Sequence, residues 1–440
     1  MKPSYKRSSI FSMCWVGAAI LAFSACTIDP IPDPNNPSAG EITKNASLGE
    51  IQNLVTGIES GMRENLGGYL DDVGVIGREF YRFSSSDPRF TSDLLGKGSA
   101  TLDNNTFYTT NPFESRYRVV KNANILIEAL QNTKAAISED QRKAGIAYAK
   151  TIKAHELLMV FNLQYSNGIR VDVADPDNLG PFLDKDASLT AIQTLLDEAN
   201  TDLKSSGAVL PFTTTLWSSN IAGEFSKLNR ALAARVAVYK QEWAQALTAL
   251  SESFYSLTGD LKTGSYYLFS TAGGDALTAL YYPQNSSGET RVAQPSFITD
   301  AAPGDTRLNK VSKRDQNAFV DGLSSDYDVW VYKTNTDPMP IIRNEELVLI
   351  YAEAQAQSNN STEAIKAIDR VRTAAGLVNY SGATDAASLI NEILVQRRYS
   401  LYAEGHRWID MRRYDRLSEL PIDRTGDDVW VEFPRPATEN

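Results

Sequence analysis

Residue types that usually carry nucleophilic or metal chemistry are scarce in this chain, which has two histidines, His155 and His406, and two cysteines, Cys14 and Cys26. "HELLM" from His155 lacks the second histidine of a zinc protease motif, and no Gly-x-Ser-x-Gly, P-loop or Gly-x-Gly-x-x-Gly spacing occurs. His155 shares a helical face with Ile152 and Met159, the setting of a core histidine. "DPDNLG", from Asp175 to Gly180, has oxygen ligands without the spacing of a calcium loop and reads as a turn. No metal site and no cofactor are expected. A glycosidase needs only two carboxylates at a suitable separation, and 54 Asp and Glu residues leave that reading open.

The densest mixture of chemistry is "EILVQRRYSLYAEGHRWIDMRR", from Glu392 to Arg413, a helix-like run. Every third and fourth residue gives the stripe Ile390, Leu394, Arg397, Leu401, Glu404, Trp408 and Met411. A catalytic reading would make Glu404 an acid or base tuned by Arg407 or His406, which requires a cleft. The stripe instead turns the carboxylate into neighbouring helices, where a charge is tolerated only when paired and hydrogen-bonded. Arg397, Glu404, Arg407 and Asp410 are therefore expected to form a structural ion-pair network. Gly405, costly in a helix, is expected where another backbone packs closely.

A different chemistry is spread through the loops. Sugar rings present flat C–H faces and a fringe of hydroxyls, so a binding site needs aromatic platforms flanked by hydrogen-bonding side chains. Tyr81 and Phe83 alternate with Arg78, Arg82 and Asp87; Tyr281 and Tyr282 precede Gln284 and Asn285; Tyr327 and Trp330 sit beside Asp326 and Asp328. Arg78, Tyr81, Phe83, Asp87, Tyr281, Tyr282, Tyr327 and Trp330 are the candidate glycan contacts. The alternative is packing: an alternating Phe-Tyr-Arg-Phe stretch suits a half-buried strand, and Trp330 between two valines can face inward. Trp243 and Trp408 are expected in the core.

These side chains must be carried by something, and helix signals dominate. Ser138 with Gln141 opens a long helix that closes at Asn167-Gly168. "GEFSKLNRALAARVAVYKQEWAQALTALSESF" reads as two helices meeting near Gln241-Glu242. "NEELVLIYAEAQAQSNNSTEAIKAIDRVRTAAGL" repeats the idea, with its turn at Asn359 to Ser361 and its stop at Gly376. Such pairs resemble tetratricopeptide hairpins in irregular copies. Residues of about 66–116 and 257–340 are rich in Gly, Ser, Thr, Asn and Asp with interspersed aromatics, and read as long functional loops with short strands at most.

The N-terminus begins with Lys2, Lys6 and Arg7, continues in an uncharged stretch from Ile10 to Phe23, and reaches Ser24-Ala25-Cys26. This is a secretory signal too short to span a bilayer, ending in a lipobox, with cleavage and lipidation expected at Cys26. Residues 1–25 form the signal peptide, 26–40 the lipidated cysteine and a proline-rich tether, and 41–440 one domain. Losing the three signal-peptide cations moves the formal charge from −11 to −14, which argues against nucleic-acid binding. The expected membrane attachment is the lipid anchor alone.

"QRRYSLYAEGHRWIDMRR", the upstream "NEELVLIYAEA", "AIDRVRTAAGL" and the closing "FPRPATEN", together with "FSKLNRALAARVAVYKQEW" and the lipobox, resemble the SusD/RagB family of Bacteroidetes surface lipoproteins. Gln396 and Ser400 stand where the family usually places Glu, and Arg435 interrupts its usual Pro-Ile-Pro. The resemblance implies a mainly α, SusD-like fold of tetratricopeptide-like helix pairs supporting a loop-rich region. It also implies a non-enzymatic protein on the outer membrane, facing the cell exterior, that captures oligosaccharide and delivers it to a SusC-like TonB-dependent transporter. The helical hairpins alone would also suit a scaffold or peptide-binding lipoprotein.

Overall fold

The computed structural model describes residues 39–439. The expected signal peptide, Cys26 and the tether up to residue 38 lie outside them. The chain divides into two units at Ile42–Thr43. Of the first, only the opening residues of α1 (Ala39–Asn45) are described.

The second unit is built mainly from helices, as expected from the periodicities. They are α2 (Leu48–Gly61), α3 (Leu66–Ile76), α4 (Phe107–Asn132), α5 (Glu139–Gln164), α6 (Lys185–Ser206), α7 (Ala222–Tyr239), α8 (Trp243–Glu252), the single turn α9 (Ser296–Thr299), α10 (Asn344–Gln357), α11 (Ser361–Ala374), α12 (Ala386–Ser400) and α13 (Arg407–Arg413). Helices α4 to α8 pack each against the next, and α10 packs against both α11 and α12. Capping residues place their starts. Ser138 and Gln141 form the reciprocal capping box of α5, Ser47 and Glu50 that of α2, and the Asp184 carboxylate accepts the Ala187 N–H at the start of α6. Val348, Leu349, Ala352, Ile368, Val371, Leu389 and Ile393 interdigitate as the core of the C-terminal helices.

The strands gather the loop-rich segments into one sheet. β1 (Phe80–Ser84), β5 (Glu289–Ala293), β7 (Leu323–Val329) and β6 (Val311–Val320) lie in that order. Small pairs form from β2 (Ile169–Arg170) with β3 (Phe182–Leu183), and from β4 (Gly264–Tyr267) with β8 (Met339–Arg343). β6 and β7 are an antiparallel hairpin in which Val320 faces Leu323, so the loop is Asp321-Gly322 with φ of 53° and 83°. Two successive positive φ values are what a two-residue type I′ turn requires, and Asp-Gly meets that demand at low strain.

Residues 66–116 are more helical than a loop. α3 is buried on all sides except at Gly68, so it carries no amphipathic stripe for a periodicity argument to detect. The stretch from Phe107 to Arg116 opens the 26-residue α4, with Pro112 inside its second turn.

The run from Glu392 to Arg413 is also not one helix. It breaks between α12 and α13 at a turn in which Ala403 and Gly405 take φ of 60° and 82°. The stripe read from a straight helix is therefore interrupted, and Glu404 projects from the turn. At Gly405 a Cβ would sit 3.1 Å from Leu70 Cδ2 and 3.2 Å from Val73 Cγ2, in addition to the left-handed backbone. Gly405→Ala is expected to lower the free energy of unfolding by about 1–3 kcal/mol, read as a lowered urea midpoint at unchanged slope.

Candidate functional site

Arginine–carboxylate pairs stitch the helices together. Arg235 of α7 binds Glu346 of α10 through two hydrogen bonds of 2.7 and 2.6 Å. Arg397 meets Asp410 at 2.6 Å, Asp410 also accepts from Arg413 at 3.1 Å, and Arg413 reaches Glu353 at 2.7 Å. Glu404 pairs with Arg343 of β8 at 2.8 Å, outside that cluster. Arg407 joins neither group: no carboxylate of the described residues lies within salt-bridge distance of it. The Ser400 hydroxyl accepts from Arg307 at 3.0 Å.

Groups with displaced proton affinities sit in this interior. Burial, followed by the fields of Arg235 and Arg116, holds His155 down to about 3. Burial lowers His406 to about 4 against the pull of Glu346. Both line a small cavity of about 50 Å³ with Tyr69, Asn162 and Tyr332. Burial raises the Glu79 carboxyl to about 8 although it accepts the Ala403 N–H, and raises Glu156 to about 7 against its Arg116 partner at 2.9 Å. Shifts of this kind mark active sites when the group meets a cleft. Here the side chains are enclosed in the core. Among the described residues no group of three His, Cys, Asp or Glu side chains is placed to hold a metal ion.

An open concavity lies elsewhere, on the sheet. A groove of about 530 Å³ runs between the loop Asn285–Gly288 and strand β6, where Arg314, Asp315, Gln316, Asn317 and Phe319 line it and Phe83 closes its base. A bulge between Lys313 and Ala318 swings this part of β6 away from β7 and makes room for it. Phe319 is 68% exposed, the most exposed aromatic among the large apolar residues on the surface. Around it, Asn285 Nδ2 donates to Asp315 at 3.1 Å, the Asp315 N–H returns to Asn285 Oδ1 at 2.8 Å, and Asn317 donates to Asp326 at 2.9 Å. Arg314 is held by Asp328 and by the Ser286 carbonyl at 2.9 Å. An exposed ring beside oriented amides and carboxylates can stack on a sugar face and bond its hydroxyl fringe.

The loop residues singled out from the sequence fall into two sets. Tyr281 and Trp330 come together, with ring centroids 6.2 Å apart at 43°, and both are half-buried. Tyr282 lies against the Arg291 guanidinium at 5.1 Å, and Tyr327 faces Lys313 across the hairpin. The chain from Tyr281 continues directly into the Asn285 wall of the groove.

The N-terminal set does not make a platform. Tyr81 and Phe83 are buried, stacked on each other at 6.1 Å, with the Tyr81 hydroxyl bonded to Asp423. Arg78 is buried and donates to the Asp428 carbonyl at 2.7 Å. The segment Pro421–Asp428 covers Arg78 and Tyr81, while Phe83 lies under the groove as its floor, so the strand reading of this stretch is the one the fold realises. Asp87 caps a short turn, accepting from the Arg89 N–H at 3.0 Å and from its guanidinium at 2.6 Å.

Reading the sequence missed Arg314, Asp315, Gln316, Asn317 and Phe319. Asp321-Gly322 flanked by Val320 and Leu323 was the signal for that hairpin.

Comparison with known proteins adds the context of the whole chain. The pattern described as the SusD family matches residues 224–431. A SusD-like protein of Formosa agariphila is 30% identical over 156 residues, which span 32% of this chain and 28% of that protein's length. A SusD superfamily protein of Bacteroides vulgatus superposes with a TM-score of 0.67 at 16% identity, covering 89% of this chain and 96% of that one. The surface glycan-binding protein A of Bacteroides thetaiotaomicron, solved in complex with laminarihexaose, superposes at 0.68 with 15% identity, covering 89% and 97%. At these identities the structural likeness shows the fold.

Proposed function

Because this chain belongs to the SusD/RagB family, we propose that it is a glycan-capture lipoprotein. In this reading it holds oligosaccharide on the face of its four-stranded sheet and passes it to a SusC-like TonB-dependent transporter in the outer membrane. The observation that carries the proposal is the open groove with the exposed Phe319 ring among Asn285, Asp315, Gln316 and Asn317. Tyr281, Tyr282, Tyr327 and Trp330 extend the same surface as further contacts. The laminarihexaose complex of a structural neighbour supports a carbohydrate ligand.

The role is one of binding. The carboxyls whose proton affinity burial raises, Asp72, Glu79 and Glu156, are walled off from the groove, so none is placed to protonate a glycosidic oxygen. Attachment rests on lipidation at Cys26 after loss of residues 1–25, with the tether to residue 40 carrying the domain on the outer face. No helix among the described residues is long and apolar enough to cross a membrane.

The test is affinity electrophoresis and calorimetry of residues 27–440 against a polysaccharide panel that includes laminarin. One or more glycans should retard the wild type. Phe319→Ala should weaken binding about tenfold or more, as should the double variant Tyr282→Ala, Trp330→Ala, with unchanged melting temperature for Phe319→Ala. Equal binding by wild type and both variants would move the site off this sheet. Absence of binding across the panel would shift the reading to a peptide ligand or to a scaffold.

A further inference from the structure

The unexplained member of the opening motif is Arg407. Among the described arginines, Arg407 and Arg416 are the two whose guanidinium groups donate no hydrogen bond within the chain; that of Arg416 only approaches Glu419, at 3.9 Å. Both line one surface groove of about 420 Å³ between α12, α13 and the following turn. Leu394 and Met411 form its buried floor, and Val395, 44% exposed, forms its rim.

The carboxyls nearest Arg407 do not neutralise it. Asp410 is committed to Arg397 and Arg413, and Glu79 is held neutral by burial while it accepts the Ala403 N–H. Burial, and then the neighbouring Arg398, weakens the proton affinity of Arg407 to about 10, which still leaves it charged near neutral pH. A largely desolvated guanidinium without a partner is costly, and an anion arriving at such a group forms charge-assisted hydrogen bonds of unusual strength.

We propose that this groove binds a carboxylate-bearing segment of a partner protein, with acidic side chains on Arg407 and Arg416 and apolar side chains against Leu394, Val395 and Met411. The floor contains no aromatic ring, so it offers no stacking face to a sugar. Its lining holds two cations, Arg407 and Arg416, against one carboxylate, the exposed Glu419, so the groove keeps a net positive charge beside its apolar strip and matches a peptide that alternates acidic and aliphatic residues. The site is separate from the glycan groove and rests on none of the argument for it.

The probe is a fluorescein-labelled hexapeptide of alternating leucine and glutamate, compared with its leucine–glutamine counterpart by anisotropy on residues 27–440. The acidic peptide should bind, weaken with added salt, and exceed the glutamine peptide by at least tenfold. Arg416→Gln should reduce binding tenfold or more, and Val395→Asp should do the same by repulsion from the rim without altering the half-buried Arg407 guanidinium. Arg407→Gln is interpreted only if its melting temperature matches wild type, and should then abolish binding. Failure of the acidic peptide to bind at millimolar protein, or equal binding by Arg416→Gln and Val395→Asp, overturns the proposal. Binding of polygalacturonate that the same two variants abolish, in place of peptide binding, reassigns the groove to an acidic glycan and overturns it as well.

Discussion

Replacing Glu346 by Ala is expected to lower the free energy of unfolding by about 3–5 kcal/mol, the cost of stranding a buried charge. Glu346 lies between Arg235 of α7, at 2.6 Å, and His406, at 3.7 Å, and all three side chains are almost inaccessible to water. Burial alone would raise the Glu346 carboxyl, but Arg235 and then His406 outweigh it and hold it down at about 2. The loss therefore comes mostly from Arg235, which keeps only the Ile341 carbonyl at 2.7 Å as acceptor. Equilibrium urea unfolding measures it. The control is Glu363→Ala, which removes a solvent-exposed pair with Lys366 and the Tyr351 hydroxyl bond at 3.0 Å, and should shift the urea midpoint far less. Replacing Arg235 and Glu346 together by Leu and Met should recover much of the loss, because no uncompensated charge remains. If Glu346→Ala cost no more than Glu363→Ala, the helices would not depend on this joint.

Stability is expected to pass through a broad maximum at about pH 5 to 6, because two kinds of buried group oppose each other. His155 and His406 have folded values of about 3 and 4, below the ordinary 6.5. The unfolded chain then binds protons that the folded chain refuses, so stability falls as pH drops from 6.5 toward 4. Glu79 and Glu156 have folded values of about 8 and 7, above the ordinary 4.5. Their contribution is complete below 4.5 and is lost progressively from 4.5 up to the folded values of 7 to 8, because the unfolded carboxyl ionises first. The depressed Glu346 adds acid lability only below 4.5.

The two terms separate by substitution. Glu79→Gln keeps the shape and removes the ionisation, so it should be stabilising by on the order of 3 kcal/mol at pH 8 and near neutral at pH 4.5. His155→Gln should instead flatten the acid limb between pH 6.5 and 4. Urea midpoints at half-unit pH steps measure both. A Glu79→Gln effect independent of pH would mean that the Glu79 carboxyl finds water or a cation in the folded state.

Much of the scaffold could be read from local patterns, because helix ends and helix faces are written within a few residues. Ser138 and Gln141, the turn at Gln241-Glu242, and the stop at Gly376 are each set by backbone groups that neighbouring residues must satisfy. α3 escaped that logic because burial on every side erases the polar face that marks a helix in a sequence. The run from Glu392 to Arg413 misled for the opposite reason. Its spacing suited one helix, but Ala403 and Gly405 turn the chain so that Glu404 can reach Arg343.

The binding surface divides along the same line. Loop composition pointed to residues 257–340, and Tyr281 and Trp330 do meet there. Which aromatics face solvent was not readable, because exposure is decided by strands that pair over long separations. β1 pairs with β5 about two hundred residues on, and the segment from Pro421 to Asp428 then covers Tyr81 and Arg78. Phe319 is exposed for a tertiary reason too: it stays paired with Ser324 near the hairpin turn, and no other segment closes over its ring. By itself, then, the amino-acid order determined the helices, their caps and the resemblance to a family, since those depend on contacts within a turn or two of chain. Burial of one tyrosine, exposure of one phenylalanine and the isolation of Arg407 were decided only when distant segments closed over one another. Solvent access belongs to the assembled surface and to no single stretch of it.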